Sequence, residues 1–157
     1  MEVAKVQVVR EPPTSGLAGQ LLKRYYTELA VRFPDGFDPE LAGRVPVEDL
    51  VPPNGTFLVV RVNDLPVGCG AMRKLNEATA ELKRMWVDPS IRGCGVGFRL
   101  LSALEEAAAQ LGCRTVRLDS SPYLPEALGL YRSSGYREIP AYNDNVYAGH
   151  WFEKHLS

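Results

Sequence analysis

Gly93, Gly95 and Gly97 stand at alternate positions between a β-rich run, residues 79 to 88, and an amphipathic run, residues 97 to 111. Glycine weakens a chain unless the backbone must turn left-handed or let something approach closely. Such a cluster therefore fixes a strand-turn-helix unit, and the rest of the chain has to be arranged around it. On the helical side Leu100, Leu101, Leu104, Ala107, Ala108 and Leu111 share one face, and Gly112 supplies a left-handed stop. The next run, residues 113 to 119, alternates Val116 and Leu118 with Thr115, Arg117 and Asp119. A strand reached through a strand and a helix is placed most simply parallel to the first, which predicts a β-turn-α-β crossover.

Elsewhere the pattern is equally local. Residues 3 to 10 are β-rich, Pro12 and Pro13 end them, and Thr14 or Ser15 can cap a helix reaching about Arg32, with Leu17, Leu21, Leu22, Tyr25 and Leu29 at helical spacing. From Phe33 to Asn54 prolines and glycines punctuate the chain, leaving room for a helical turn at 40 to 43 or 47 to 50. Runs at 56 to 63, 66 to 75 and 79 to 88 are joined by turns short enough for an antiparallel meander. Pro125 and Glu126 open a further helix that stops at Gly135, followed by strand-like YREI and HWFEKHL. The expected fold class is α/β (α+β): a mixed, mainly antiparallel sheet of six to seven strands with helices on both faces, in one domain spanning residues 1–157.

Eighteen basic against nineteen acidic residues give a formal charge of -1, so no global field favours nucleic acid or an anionic membrane as a partner. The three cysteines form no C-x-x-C pair, which argues against a disulfide framework and a zinc site and fits a cytoplasmic protein without a metal. No run of 18 apolar residues and no signal-like N-terminal block is present.

At the head of a helix, Arg92-x-x-Gly95-x-Gly97 can converge N–H groups on an anion, aided by the helix dipole, which suits a phosphate or pyrophosphate. A turn that binds nothing is the competing reading. A dinucleotide fingerprint fails because Phe98 or Leu100 stands where its third glycine belongs, and a P-loop fails because Phe98 and Arg99 replace Lys and Ser/Thr.

ELKRMWVDPSIRGCGVG with its helix, the strand ending at Asp119, and EALGLYRSSGY resemble the GCN5-related N-acetyltransferase (GNAT) family over residues 79 to 157, with residues 1 to 78 similar only in element order. YNDNVYAGHWFEKHL is similar to a bacterial subset of that family that shares ELKRM-[WY]-V and is sometimes fused to winged-helix regulators. The resemblance implies a GNAT fold splayed at its central strands and acetyl-CoA (coenzyme A) as co-substrate. Arg92, Gly93, Cys94, Gly95, Val96 and Gly97 would take the pyrophosphate, Met85, Trp86 and Val87 the pantetheine arm, and Ala127 and Tyr131 match the A-x-x-x-Y of the later helix. Two positions depart from the pattern: Leu124 replaces a common asparagine and Cys94 an often basic residue.

Acetyl transfer to an amine needs the neutral amine, and a lysine-like amine of pKa ~10.4 is neutral in only about one molecule in 2,500 at pH 7. Glu81, on the strand eleven residues before Arg92, is the candidate base; a solvated strand carboxylate, or a partner for Lys83 or Arg84, is the alternative. Tyr131 is the candidate acid for a departing thiolate, the alternative being an ordinary half-buried aromatic. The broken alternation of LKRMWV predicts a bulge whose N–H, near Val87, would meet the oxyanion. Acceptor choice falls to Tyr25, Tyr26, the segment around Phe33 and Phe37, and the AYNDN loop. The expected acceptor is a small-molecule amine or amino acid; a protein lysine or N-terminal amine, and a non-catalytic acyl-CoA-binding module, are the alternatives. A homodimer is left open.

Overall fold

The computed structural model describes residues 5–157, so positions 3 and 4 of the expected first strand lie outside the described residues. Seven strands form one sheet in the order β1-β2-β3-β4-β5-β7-β6: β1 (Val6–Arg10), β2 (Gly55–Val62), β3 (Leu65–Lys74), β4 (Thr79–Val87), β5 (Thr115–Ser120), β6 (Arg137–Ile139) and β7 (His150–His155). β4 and β5 run parallel, as the crossover predicts, and every other neighbouring pair is antiparallel.

Helix α1 (Gly16–Arg32) begins where the Ser15 hydroxyl accepts the Ala18 N–H at 3.0 Å. Helix α2 (Val96–Gln110) begins one residue earlier than expected and α3 (Pro125–Ser133) starts on its proline. Of the two helical turns allowed in the long connection, a 3-10 turn forms at Val47–Leu50.

Strand alternation decides which helix lies on which face. Leu58 and Val60 of β2, Met72 of β3, Ala80 and Leu82 of β4, and Val116 and Leu118 of β5 pack with Leu100, Leu101 and Leu104 of α2. Their intervening neighbours Phe57, Val59, Cys69, Ala71 and Trp86 pack with Ala18 and Leu21 of α1. Helices therefore cover both faces, and β2 is buried through FLVV because it is sandwiched.

One irregularity sets up everything that follows. Between Cys69↔Trp86 and Ala71↔Lys83, β3 advances two residues while β4 advances three, so Arg84 and Met85 oppose Gly70 in a bulge. Arg84 takes φ +58°, a left-handed value that costs a side-chain-bearing residue energy. Leu82 and Met85, three apart, consequently face the same cluster. The bulge lies upstream of Val87, where the alternation suggested it, because the extra residue is the arginine.

Leu104 is fully buried at the centre of the α2 face. Leu104→Ala should destabilise the fold by about 2–5 kcal/mol in urea titration; a loss under about 1 kcal/mol would contradict this account of the core.

Candidate active site

β4 and β5 stay paired only from Thr79↔Thr115 to Glu81↔Arg117. β4 continues to Val87 and β5 to Ser120, so beyond Glu81 the two strands diverge and the facing edge of β4 has no strand partner. Two cavities occupy the opening. One, on the glycine-turn side, is lined by Met85, Trp86, Val87, Arg92, Gly93, Gly95, Gly97 and Phe98, with residues of α1 and α3. The other is lined by Tyr26, Phe33, Phe37, Lys83, Arg84, Asp119 and Tyr147. Tyr25, Leu29, Met85, Leu124, Ala127 and Tyr131 line both, so the cavities meet at these residues.

The glycine turn has the properties of an anion cradle. Gly93 and Gly95 adopt φ +84° and +78°, and the N–H groups of Gly93 through Phe98 find no acceptor among the described residues. Gly95 caps α2 with no side-chain hydrogen bond, leaving the positive end of the helix uncompensated. Val96 sends its side chain into the core and Cys94 is exposed, so neither side chain lines the cavity and what these residues offer is backbone. The open donors and the unpaired edge of β4 fit the pyrophosphate and amide arm of coenzyme A.

Arg92 is occupied elsewhere. Its Nε donates to the Val87 carbonyl at 3.0 Å, and its Nη2 donates to both Glu28 oxygens at 2.8 Å. Trp86 Nε1 donates to the same carboxylate at 2.9 Å, and Arg32 pairs with Glu28 and Glu126. The guanidinium thus ties the turn to α1 and the end of β4.

Tyr131 is buried where the cavities meet, its hydroxyl donating to Met85 Sδ at 3.8 Å. Burial, with the Asp119 charge adding to it, pushes its pKa well above the ordinary tyrosine value. The group is a phenol holding its proton beside an apolar wall.

Glu81 lies in neither cavity, and its side chain is 1% exposed, which excludes the solvated carboxylate of the sequence reading. It accepts from Arg73 Nε at 3.0 Å, Tyr142 Oη at 2.7 Å and Asn143 Nδ2 at 3.4 Å, while Lys83 Nζ is 4.0 Å away. A carboxylate so surrounded has its oxygens engaged by neighbouring side chains and lines neither cavity. Burial, reinforced by the Glu81 charge, raises the pKa of Tyr142 and keeps it a donor.

Asp119 and Arg84 are the residues that sequence reading passed over. Asp119 lines the aromatic cavity from the end of β5 and is held by Asn143 Nδ2 at 2.7 Å, Asn145 Nδ2 at 3.0 Å and Lys83 Nζ at 3.5 Å. A signal was present for each: Asp119 ends the alternating strand opposite the cluster, and Arg84 is the residue at which LKRMWV loses its period. The aromatic wall is closed by stacking. Phe37 lies 5.5 Å from Tyr26 and 4.7 Å from Tyr147 between ring centres, Phe33 lies 5.3 Å from Tyr147, and the Asp38 N–H donates to Tyr147 Oη at 2.8 Å.

A model of the acetyltransferase (GNAT) family matches residues 19–136. An "IAA acetyltransferase" of Azospirillum brasilense is 32% identical over 134 residues, which is 85% of each chain. The crystal structure of an acetyltransferase of the GNAT family from Staphylococcus aureus Mu50 is similar with TM-score 0.78 at 15% identity, over 98% of this chain and 100% of that one. A GNAT family acetyltransferase from Elizabethkingia anophelis with acetyl-CoA bound gives 0.67 at 15% identity, over 96% and 98%. These two likenesses speak to the fold, while the family model and the sequence relative speak to descent; the chain belongs to the GNAT acetyltransferase family and is an acyltransferase.

Proposed function

We propose that the protein transfers the acetyl group of acetyl-CoA to the amine of a small molecule, with both substrates bound together. The observation that carries this is the meeting of two cavities at Tyr131: one rich in open backbone donors, the other walled by aromatic rings. Acetyl-CoA, when bound, supplies a thioester whose C–S bond breaks as the amine nitrogen forms the new C–N bond.

The backbone of Gly93 through Phe98 holds the pyrophosphate, and the open edge of β4 at Met85, Trp86 and Val87 holds the amide arm. Tyr131 Oη–H hydrogen-bonds to the departing thiolate, which takes up the second proton that the acceptor nitrogen sheds as the amide forms; its raised pKa keeps the phenol a donor throughout the neutral range. The ammonium proton of the acceptor goes to Asp119, the one carboxylate lining the aromatic cavity among the described residues, in place of Glu81. Glu81 instead positions Tyr142 and Asn143, and Asn143 in turn fixes Asp119.

A small acceptor is favoured over a protein chain by the segment from Phe33 to Val45. Phe37 stacks against Tyr26 and packs at a tilt against Tyr147, and Val45 is buried, so the segment covers the cavity rather than leaving a groove open. The GNAT family acetyltransferase from Elizabethkingia anophelis was solved with acetyl-CoA bound, which supports the same co-substrate here.

Calorimetry with acetyl-CoA, followed by thiol release in the presence of an amine panel, tests the reading; failure of acetyl-CoA to bind would overturn it. Tyr131→Phe should slow turnover about ten- to a thousandfold while leaving acetyl-CoA affinity nearly unchanged. Unaltered turnover would remove Tyr131 from the chemistry.

A pH dependence follows from the same tyrosine. Its native pKa lies above its unfolded value, so its contribution to stability is fully present below about pH 10 and is lost as pH rises toward the native pKa. Urea titrations at pH 9 and pH 11 should show a smaller alkaline loss for Tyr131→Phe than for the unmodified chain; identical losses would mean that the hydroxyl is not buried as described.

A further inference from the structure

Arg84 is a cation without a counter-ion. It is half-buried and lines the aromatic cavity, and its guanidinium has neither an ion pair nor a hydrogen bond among the described residues. The other charges of that cavity cancel, because Lys83 lies 3.5 Å from Asp119. The cavity therefore carries one net positive charge.

Withdrawing a guanidinium from water with no partner is unfavourable unless something else completes its hydrogen bonds. The backbone around it is also strained: Arg84 occupies the left-handed region at the bulge, a conformation in which glycine or asparagine would sit more easily. A costly residue type in a costly conformation, aimed into a cavity, points to a ligand that repays both. Arg84 does not line the glycine-turn cavity, so the phosphates assigned there are not that ligand.

We infer that Arg84 anchors a carboxylate of the acceptor, so that the acceptor is an amine-bearing carboxylic acid with an apolar body of about the size of an aromatic ring. This rests on the transferase reading above and narrows its acceptor class. The planar fork of arginine matches a carboxylate in two parallel hydrogen bonds. One guanidinium pairs one carboxylate, and with Lys83 engaged by Asp119 the cavity has no second free cation among the described residues for a phosphate's charge of about -1.5 to -2. Tyr26, Phe33, Phe37 and Tyr147 supply the apolar surface for the rest of the molecule, and Asp119 marks the end of the cavity where the amine lies. Burial raises the pKa of Tyr26, with the Arg84 charge opposing it, so this ring is a neutral neighbour of the guanidinium.

The test separates the two readings by titrating in sequence. Coenzyme A is added first; the coenzyme-loaded protein is then titrated calorimetrically with 3-phenylpropanoate and, separately, with its neutral amide, 3-phenylpropanamide. The carboxylate should bind about tenfold or more tightly than the amide, a difference that Arg84→Gln abolishes while coenzyme A still binds. Arg84→Asn, which suits the left-handed backbone, provides a second variant should the first fold poorly, and it should abolish the preference in the same way. Absence of carboxylate binding, or a preference that survives in both variants, would overturn the assignment of Arg84 and leave acetyl transfer standing. Absence of coenzyme A binding would instead overturn the transferase reading.

Discussion

The parting of β4 from β5 is the constraint on which the rest of the structure depends. Two parallel strands in register would satisfy each other's backbone and fill the centre of the sheet with side chains. Here the ladder ends at Glu81 and Arg117, and the sheet opens between its halves. Everything functional is then a consequence of how that opening is lined. The bulge at Arg84 rotates Met85 onto the α2 face and pushes an arginine into the gap, while α3 brings Tyr131 across it from the other side.

An opening in a sheet has to be held open, and charged networks do so at both ends. At the narrow end Glu81 collects Arg73, Tyr142 and Asn143, joining β3 and β4 to the loop before β7. At the wide end Glu28 of α1 receives Trp86 and Arg92, and Arg32 extends the contact to Glu126 at the head of α3. Both are partly or wholly buried clusters with their hydrogen bonds largely met, which rigidify more than they stabilise. In this light Arg92 and Glu81 hold the shape of the site from its two ends.

Sequence made the scaffold legible where the physics is local. The α2 face, the proline that starts α3 and the alternation of β5 each depend on near neighbours, and their boundaries agree with the structure to within about two residues. The glycine turn was legible as a left-handed strand-to-helix turn for the same reason. What escaped was non-local. Glu81 looks like a surface carboxylate until Arg73 from β3 and Tyr142, 61 residues away, close over it. Arg84 looks like any charged residue of a strand until the register with β3 shows that it is the inserted one. The aromatic wall joins Phe33 and Phe37 to Tyr147, which no period connects.

The two cavities are built from different materials. The glycine-turn cavity offers mainly main-chain donors, and a main chain is unaffected by most substitutions so long as its glycines keep their conformations; Cys94 and Val96 already show side chains there facing outward or into the core. The aromatic cavity is made of side chains supplied by four separated segments. Mutation can therefore rewrite the second while the first stays constant. One half of the molecule is conservative by construction and the other is free to drift, so descendants of this chain would be expected to diverge in what they act upon long before they diverge in what they act with.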